Sequence, residues 1–312
     1  MGFALMITSA MYLAPMAKKD ESPRRPAGRQ GFWGPPTGDF DWCEENYPYS
    51  EGPLRYVAEP FNTFTNLAWL VLTLGCGLRL KCLNMLDVQA LLGLLLATMI
   101  GFGSFVFHAT LLYEAQLADE LPMLNFVILS SLLAYHRQTS TEASELEKTS
   151  RAGMVAAVVF GLSCVPWMYL TAKESSAHVV GRVVMVICFS TCFIYLGYST
   201  VKCVDELREV LPDRGYGVEC WHTLGFVLCV SAIVAWASDN AHCDFWQNLP
   251  FGLPYPQLHA LVWHNFMILV ILFVVLLQVQ HRQAFQVCSG SKEILHKEPR
   301  RARVFQLVLP FH

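Results

Sequence analysis

Charge is scarce in this sequence. Only 15% of its 312 residues are Asp, Glu, Lys or Arg, against 54% hydrophobic. That excludes an ordinary soluble domain, in which about a quarter of residues are charged. No internal repeat of fixed period is present, which excludes a solenoid or propeller. The apolar start, residues 1–15, lacks the basic stretch that precedes a secretory signal; its first basic residues, Lys18 and Lys19, come after the apolar run. Met6 stands where N-myristoylation needs Ser or Thr. Nothing points to a nucleic-acid partner or to an obligate protein partner.

What is there is a series of apolar runs of near-membrane length. Seven fit the criterion of about 20 residues per span: 61–80, 88–110, 121–135, 152–171, 178–201, 219–238 and 257–279. The fold expected is all-α, a seven-transmembrane helical protein with a short non-cytoplasmic N-terminal segment. Residues 1–30 form a poorly ordered extension, 31–60 a segment of its own, 61–280 the membrane domain and 281–312 a cytoplasmic tail. Basic residues set the orientation. Arg79, Lys81, Arg137, Lys148, Arg151, Lys202, Arg208 and Arg214 follow spans one, three and five, whereas only Lys173 and Arg182 follow the even spans. Under the positive-inside rule the first set is cytoplasmic and the N-terminus lumenal or external.

This topology gathers ionisable residues on one membrane face. His108 ends span two, Asp119 precedes span three, Asp239 ends span six, and His259 and His264 open span seven. Ionisable groups at membrane depth are costly and mark functional sites. Three neutral imidazoles leave a fourth position open, as catalytic zinc requires. Ser104 and His108 are four apart and share a helix face, which sets a hydroxyl beside the metal. Asp119 would orient a zinc-activated water and carry its proton, and Ser104 would donate to an oxyanion. Asp239 is a candidate acceptor fixing one histidine's tautomer.

The segment Asp39-Phe40-Asp41-Trp42-Cys43-Glu44-Glu45-Asn46-Tyr47, with Glu59 beyond it, offers oxygens that suit calcium, although not at EF-hand spacing. Of eleven cysteines, most lie in spans as small apolar fillers. Cys43 and Cys243 face the non-cytoplasmic side, where a disulfide is permitted but its pairing is not fixed by sequence. His136, His178, His222, His281, His296 and His312 are expected at interfaces or in solvent. Trp69, Trp167 and Trp246 suit interfacial anchoring.

Taken in order, Gly31-Phe32-Trp33-Gly34-Pro35, Asp41 to Tyr47, Gly103-Ser104-Phe105-Val106-Phe107-His108, Asp119-Glu120-Leu121-Pro122-Met123, Asp239-Asn240 and the closing histidine pair resemble the alkaline ceramidases. The resemblance covers residues 31 to 280 and extends to a superfamily that includes the adiponectin receptors. It implies an intramembrane zinc amidase that cleaves ceramide, drawn from the surrounding lipid, into sphingosine and a fatty acid in endoplasmic reticulum or Golgi membranes. It implies zinc on His108, His259 and His264, with Ser104 and Asp119 catalytic. It implies calcium on Asp41, the Trp42 carbonyl, Glu44, Asn46 and Glu59, and a Cys43–Cys243 bridge. Extra residues around 48–54 separate Asn46 from Glu59 relative to the family.

The last two histidines also depart from the family pattern. Four residues, not three, lie between His259 and His264. At 3.6 residues per turn a separation of four rotates side chains by about 40°, and one of five by about 140°. A π-bulge, an unwound His259, or His242 in its place would restore convergence. Without one of these, the chain would be a non-catalytic lipid-binding or receptor-like relative. Another sphingolipid amide, such as phytoceramide, is the alternative substrate.

Overall fold

The computed structural model describes residues 31–40, 42–139, 151, 153, 155, 158, 159, 161, 162, 175–210 and 215–294. Among these there is no strand, only an isolated bridge between Gly31 and Gly34. The helices are α1 (Pro60–Thr65), α2 (Leu67–Cys82), α3 (Val88–Thr110), α4 (Tyr113–Thr139), α5 (Ser175–Val210), α6 (Gly215–Ala241), the short α7 (Cys243–Gln247) and α8 (Asn265–Ile294), the last entered through a π-helical turn, Leu258–His264. Six stretches among the described residues are long and apolar enough to cross a membrane: Pro60–Cys82, Val88–Thr110, Tyr113–Gln138, Val179–Glu209, Gly217–Ala241 and Leu258–Ala284. The chain is an all-α membrane protein. The expected span 152–171 lies largely outside the described residues.

Lipid reverses the usual sorting of side chains. Val71, Leu74, Leu91, Phe102, Ile187 and Phe226 are exposed, while Ser104, His108, Glu120, Arg182 and Asp239 are buried. Hydrocarbon offers buried polar groups no water, so each must find its partner inside the bundle. Close helix approach replaces the hydrophobic drive, and small residues permit it. A Cβ on Gly101 would lie 2.4 Å from the Trp69 Cβ. Trp69 is therefore a core residue, buried with Leu94, Ala97 and Ile268, and not an interfacial anchor.

Two polar clusters fix the end of the bundle remote from His108. Asp87 caps α3 by accepting from the Ala90 N–H at 2.8 Å. It also takes a two-pronged pair from Arg282 of α8, 2.9 Å on each side. Beside it His281 contacts Glu206 of α5 at 2.5 Å. His281 is buried, contrary to its expected place at an interface or in solvent, because a carboxylate from a neighbouring helix receives it.

At the other end, α3 stops in a left-handed residue, Leu111 (φ 56°). The carbonyls of its last turn have no helical partners, and the N-terminal segment supplies them. Glu59 N–H donates to the His108 carbonyl at 3.0 Å, Ala58 N–H to Ala109 at 2.9 Å, and Thr37 and Gly38 N–H to Leu111 at 3.0 Å. The Tyr47 hydroxyl reaches the Thr110 carbonyl at 3.4 Å. Cys43 and Cys243 form a disulfide with Cα atoms 5.2 Å apart, an ordinary separation, which ties the segment to α7.

Asp87→Ala removes both the cap and the partner of Arg282. It is expected to lower stability by about 1–2 kcal/mol, seen as a reduced thermal midpoint in detergent; an unchanged midpoint would mean that the cap carries no weight.

Candidate metal centre

His108, His259 and His264 are all buried, and each offers one ring nitrogen within 4.8 Å of the others'. Their ring centroids lie 4.7 to 5.2 Å apart. The extra residue before His264 is absorbed by the π-helical turn, Leu258–His264. An i→i+5 hydrogen-bonding pattern brings residues five apart onto one side, where an α-helix would splay them. His242 sits at the start of α7 and is exposed, outside this cluster.

The partners of two rings fix their tautomers. Glu59 Oε2 accepts from His108 Nδ1 at 2.6 Å, while the Glu59 backbone N–H holds the carbonyl of the same histidine. Thr65 donates its one hydroxyl proton to the Phe61 carbonyl at 2.9 Å, so its oxygen accepts from His264 Nδ1 at 2.9 Å. Both rings then carry Nδ1–H and present the Nε2 lone pair, the form a metal requires. His259 stacks on Trp42, centroids 3.7 Å apart, and its Nδ1 is buried without a hydrogen-bond partner among the described residues. Two oriented neutral imidazoles and one orphaned ring nitrogen fit a zinc ion, whose ligands are of this kind.

Ser104 and Asp119 adjoin the cluster. The Ser104 hydroxyl lies 3.4 Å from His264 Nε2 and neighbours the Asp119 carboxylate. Asp119 does not precede a helix, as expected, but sits inside α4, which begins at Tyr113. Pro122 lies within that helix and has no N–H for the Ala118 carbonyl four residues back. Gly103 packs against this very carbonyl: a Cβ there would lie 2.1 Å from the Ala118 oxygen and 2.7 Å from the Asp119 nitrogen.

Asp239 accepts from the Cys43 N–H at 3.1 Å and from the Tyr255 hydroxyl. The tautomer role expected of it falls, for His108, to Glu59. Neither Glu59 in that role nor Thr65 was expected. Glu59 stood among calcium ligands, and nothing in the sequence marks Thr65. Arg182 was counted among flanking basic residues but is buried inside α5, with Asp39 at 2.7 Å and Glu120 as its partners. Its charge therefore serves an internal ion pair rather than orientation.

Of the residues expected at calcium, Asp41 lies outside the described ones, and Trp42, Glu44, Asn46 and Glu59 are buried. Glu44 accepts from the Phe61 and Asn62 N–H groups at 2.6 and 2.8 Å, at the start of α1. Burial pushes its carboxyl up to about 7, with the charge of Asp239 adding to the shift and those two N–H bonds opposing it. A carboxylate has about four acceptor sites, so these bonds leave Glu44 able to meet a cation. Buried carboxylates with oxygen-bearing neighbours fit a hard divalent ion.

A family model described as ceramidase matches residues 34–296. The chain belongs to the ceramidase family. Its ceramidase relatives include alkaline ceramidase 3 of Mus musculus, 29% identical over 241 residues, covering 76% of this chain and 80% of the relative. Alkaline ceramidase YPC1 of Saccharomyces cerevisiae is 28% identical, covering 70% and 67%, and alkaline ceramidase 1 of Homo sapiens is 26% identical, covering 73% and 76%.

Gly103→Ala is expected to cost about 1–3 kcal/mol, because the neighbour it strikes is backbone. Gly197→Ala, which meets nothing within 4 Å, is the control and should be neutral or stabilising. Equal thermal midpoints for the two variants would refute the close approach of α3 to α4.

Proposed function

We propose that this protein hydrolyses the amide bond of ceramide, releasing sphingosine and a fatty acid, with zinc held by His108, His259 and His264. The observation that carries the proposal is the convergence of three buried imidazoles, with a serine and an aspartate beside them, in a member of the ceramidase family. Relatives named alkaline ceramidase support the substrate class. A zinc ion there supplies Lewis acidity, polarising an amide carbonyl and acidifying water.

The side chains supply the rest. Asp119 accepts the proton of the attacking water and returns it to the amine nitrogen as the C–N bond breaks, so the leaving group departs neutral. While Asp119 is ionised it holds the Ser104 proton. Once Asp119 has taken a proton, that hydroxyl is released to donate to the carbonyl oxygen as it gains charge. Glu59 and Thr65 keep two rings in the Nδ1–H form throughout. The apolar chains of the substrate enter from the bilayer.

Calcium would be held by Asp41, the Trp42 carbonyl, Glu44, Asn46 and Glu59. Glu59 also bonds His108, so a cation at this segment stiffens the second metal site. The basic residues after the odd spans favour a lumenal N-terminus and a cytoplasmic C-terminus, in endoplasmic reticulum or Golgi membranes.

Purified protein is expected to carry about one zinc per chain, consistent with a single three-histidine site, and to release sphingosine from ceramide; His108→Ala should lose both. Folded wild type without zinc or turnover would defeat the proposal. Asp119→Asn should lower kcat by about 10²–10⁴ while retaining its zinc, and loss of the metal as well would remove Asp119 from proton transfer.

Calcium binding should weaken as pH falls through about 7, because the Glu44 proton must leave before the cation enters. Calorimetry in two buffers of different ionisation enthalpy should find proton release at pH 6 that is largely gone at pH 8. No proton release at pH 6 would remove Glu44 from the calcium site.

A further inference from the structure

The π-helical turn that brings His259 and His264 together has a backbone cost. In a regular helix the Leu261 carbonyl would accept from the Asn265 N–H, four residues on. Here the Asn265 N–H turns to the Val262 carbonyl, three residues back. At the end of the π turn the Asn265 N–H thus serves Val262 and not Leu261. The Asn265 side chain replaces it, its carboxamide nitrogen lying 2.9 Å from the Leu261 carbonyl and 3.3 Å from that of Ala260. Both carbonyls belong to the four residues between the two histidines. A polar side chain in a helix interior ordinarily competes with the backbone; this one repairs it.

We infer that Asn265 is the positioning residue that holds the π-helical turn and thereby lets two histidines five apart point at one metal. The inference rests on the zinc reading for its functional meaning but not for its structural part. Asn265 is not one of the three converging imidazoles and acts through the backbone that carries His259 and His264. Its carboxamide is required because the turn contains one residue more than an α-helical pair of ligands needs. It follows that Asn265 should be dispensable once that residue is removed.

The test uses the full-length protein in four forms: wild type, Asn265→Leu, a deletion of the exposed Leu261 that restores four-residue spacing, and the deletion combined with Asn265→Leu. Leucine matches asparagine in shape and lacks the donors. Zinc release to a chelator should speed up about tenfold or more in Asn265→Leu, the lower range for losing a residue that supports metal ligands. The same substitution should change little in the deletion background. Amide hydrogen exchange over residues 258–266 gives a readout free of zinc, and it should rise in Asn265→Leu but not elsewhere in α8.

Unchanged exchange in Asn265→Leu would overturn the inference, as would an equal effect in both backgrounds, since that is the mark of ordinary packing. Wild type that binds no zinc would refute the metal reading alone, and hydrogen exchange would still decide the part played by Asn265. Should the deletion variant fail to fold, exchange in wild type against Asn265→Leu decides it.

Discussion

The end of α3 is the point on which the site depends. A helix that stops inside a protein leaves carbonyls that must be satisfied, and here the chain that satisfies them is not the next residue but a segment 49 to 74 positions earlier in sequence. Its N–H groups take the carbonyls of His108, Ala109 and Leu111. The same docking delivers Glu59 to the His108 ring and Trp42 to the His259 ring. Satisfying a helix terminus and orienting two imidazoles are thus one event, and neither could be altered without the other.

The second constraint is the solvent. Because lipid rewards no apolar burial, the interior is free to be polar wherever partners exist, and small residues decide how near helices come. Gly103 and Pro122 act as a pair: the proline frees a carbonyl on α4, and the glycine has no side chain to keep α3 from it. This is how Ser104 reaches Asp119. The triad of Arg182, Asp39 and Glu120 works on the same principle, joining the N-terminal segment to two helices through ion pairs.

Long apolar runs made most of the bundle legible from sequence, since length and hydropathy suffice when the solvent is a bilayer. The three histidines and Ser104 could be picked out because polar groups stand out on an apolar background, and Cys43 and Cys243 because they lie outside the spans. What resisted was local. Whether five residues make a π turn depends on donors such as the Asn265 carboxamide, whose target is visible only in three dimensions. Asp119 is expected before its helix because the apolar run begins at Leu121, yet the helix starts at Tyr113 and continues through Pro122, which leaves one carbonyl, that of Ala118, without its helical donor. Trp69, Arg182 and His281 were assigned by residue type to interface or loop, and each is buried against a partner that no spacing rule reveals.

The disulfide spans a sequence separation of 200 residues, and the three imidazoles come from α3 and from the turn before α8. Biosynthesis therefore meets this site last. While the first helices are inserted, His108, Glu59 and Cys43 are already present but have no counterpart, and His259 and His264 emerge only with the final span. A nascent or truncated chain that ends before residue 243 holds a single imidazole of the three and leaves Cys43 without its disulfide partner. The centre thus reports on completion of the whole bundle, and the Cys43–Cys243 bond, which becomes possible one span earlier, holds the N-terminal half of the site in waiting for the last two imidazoles.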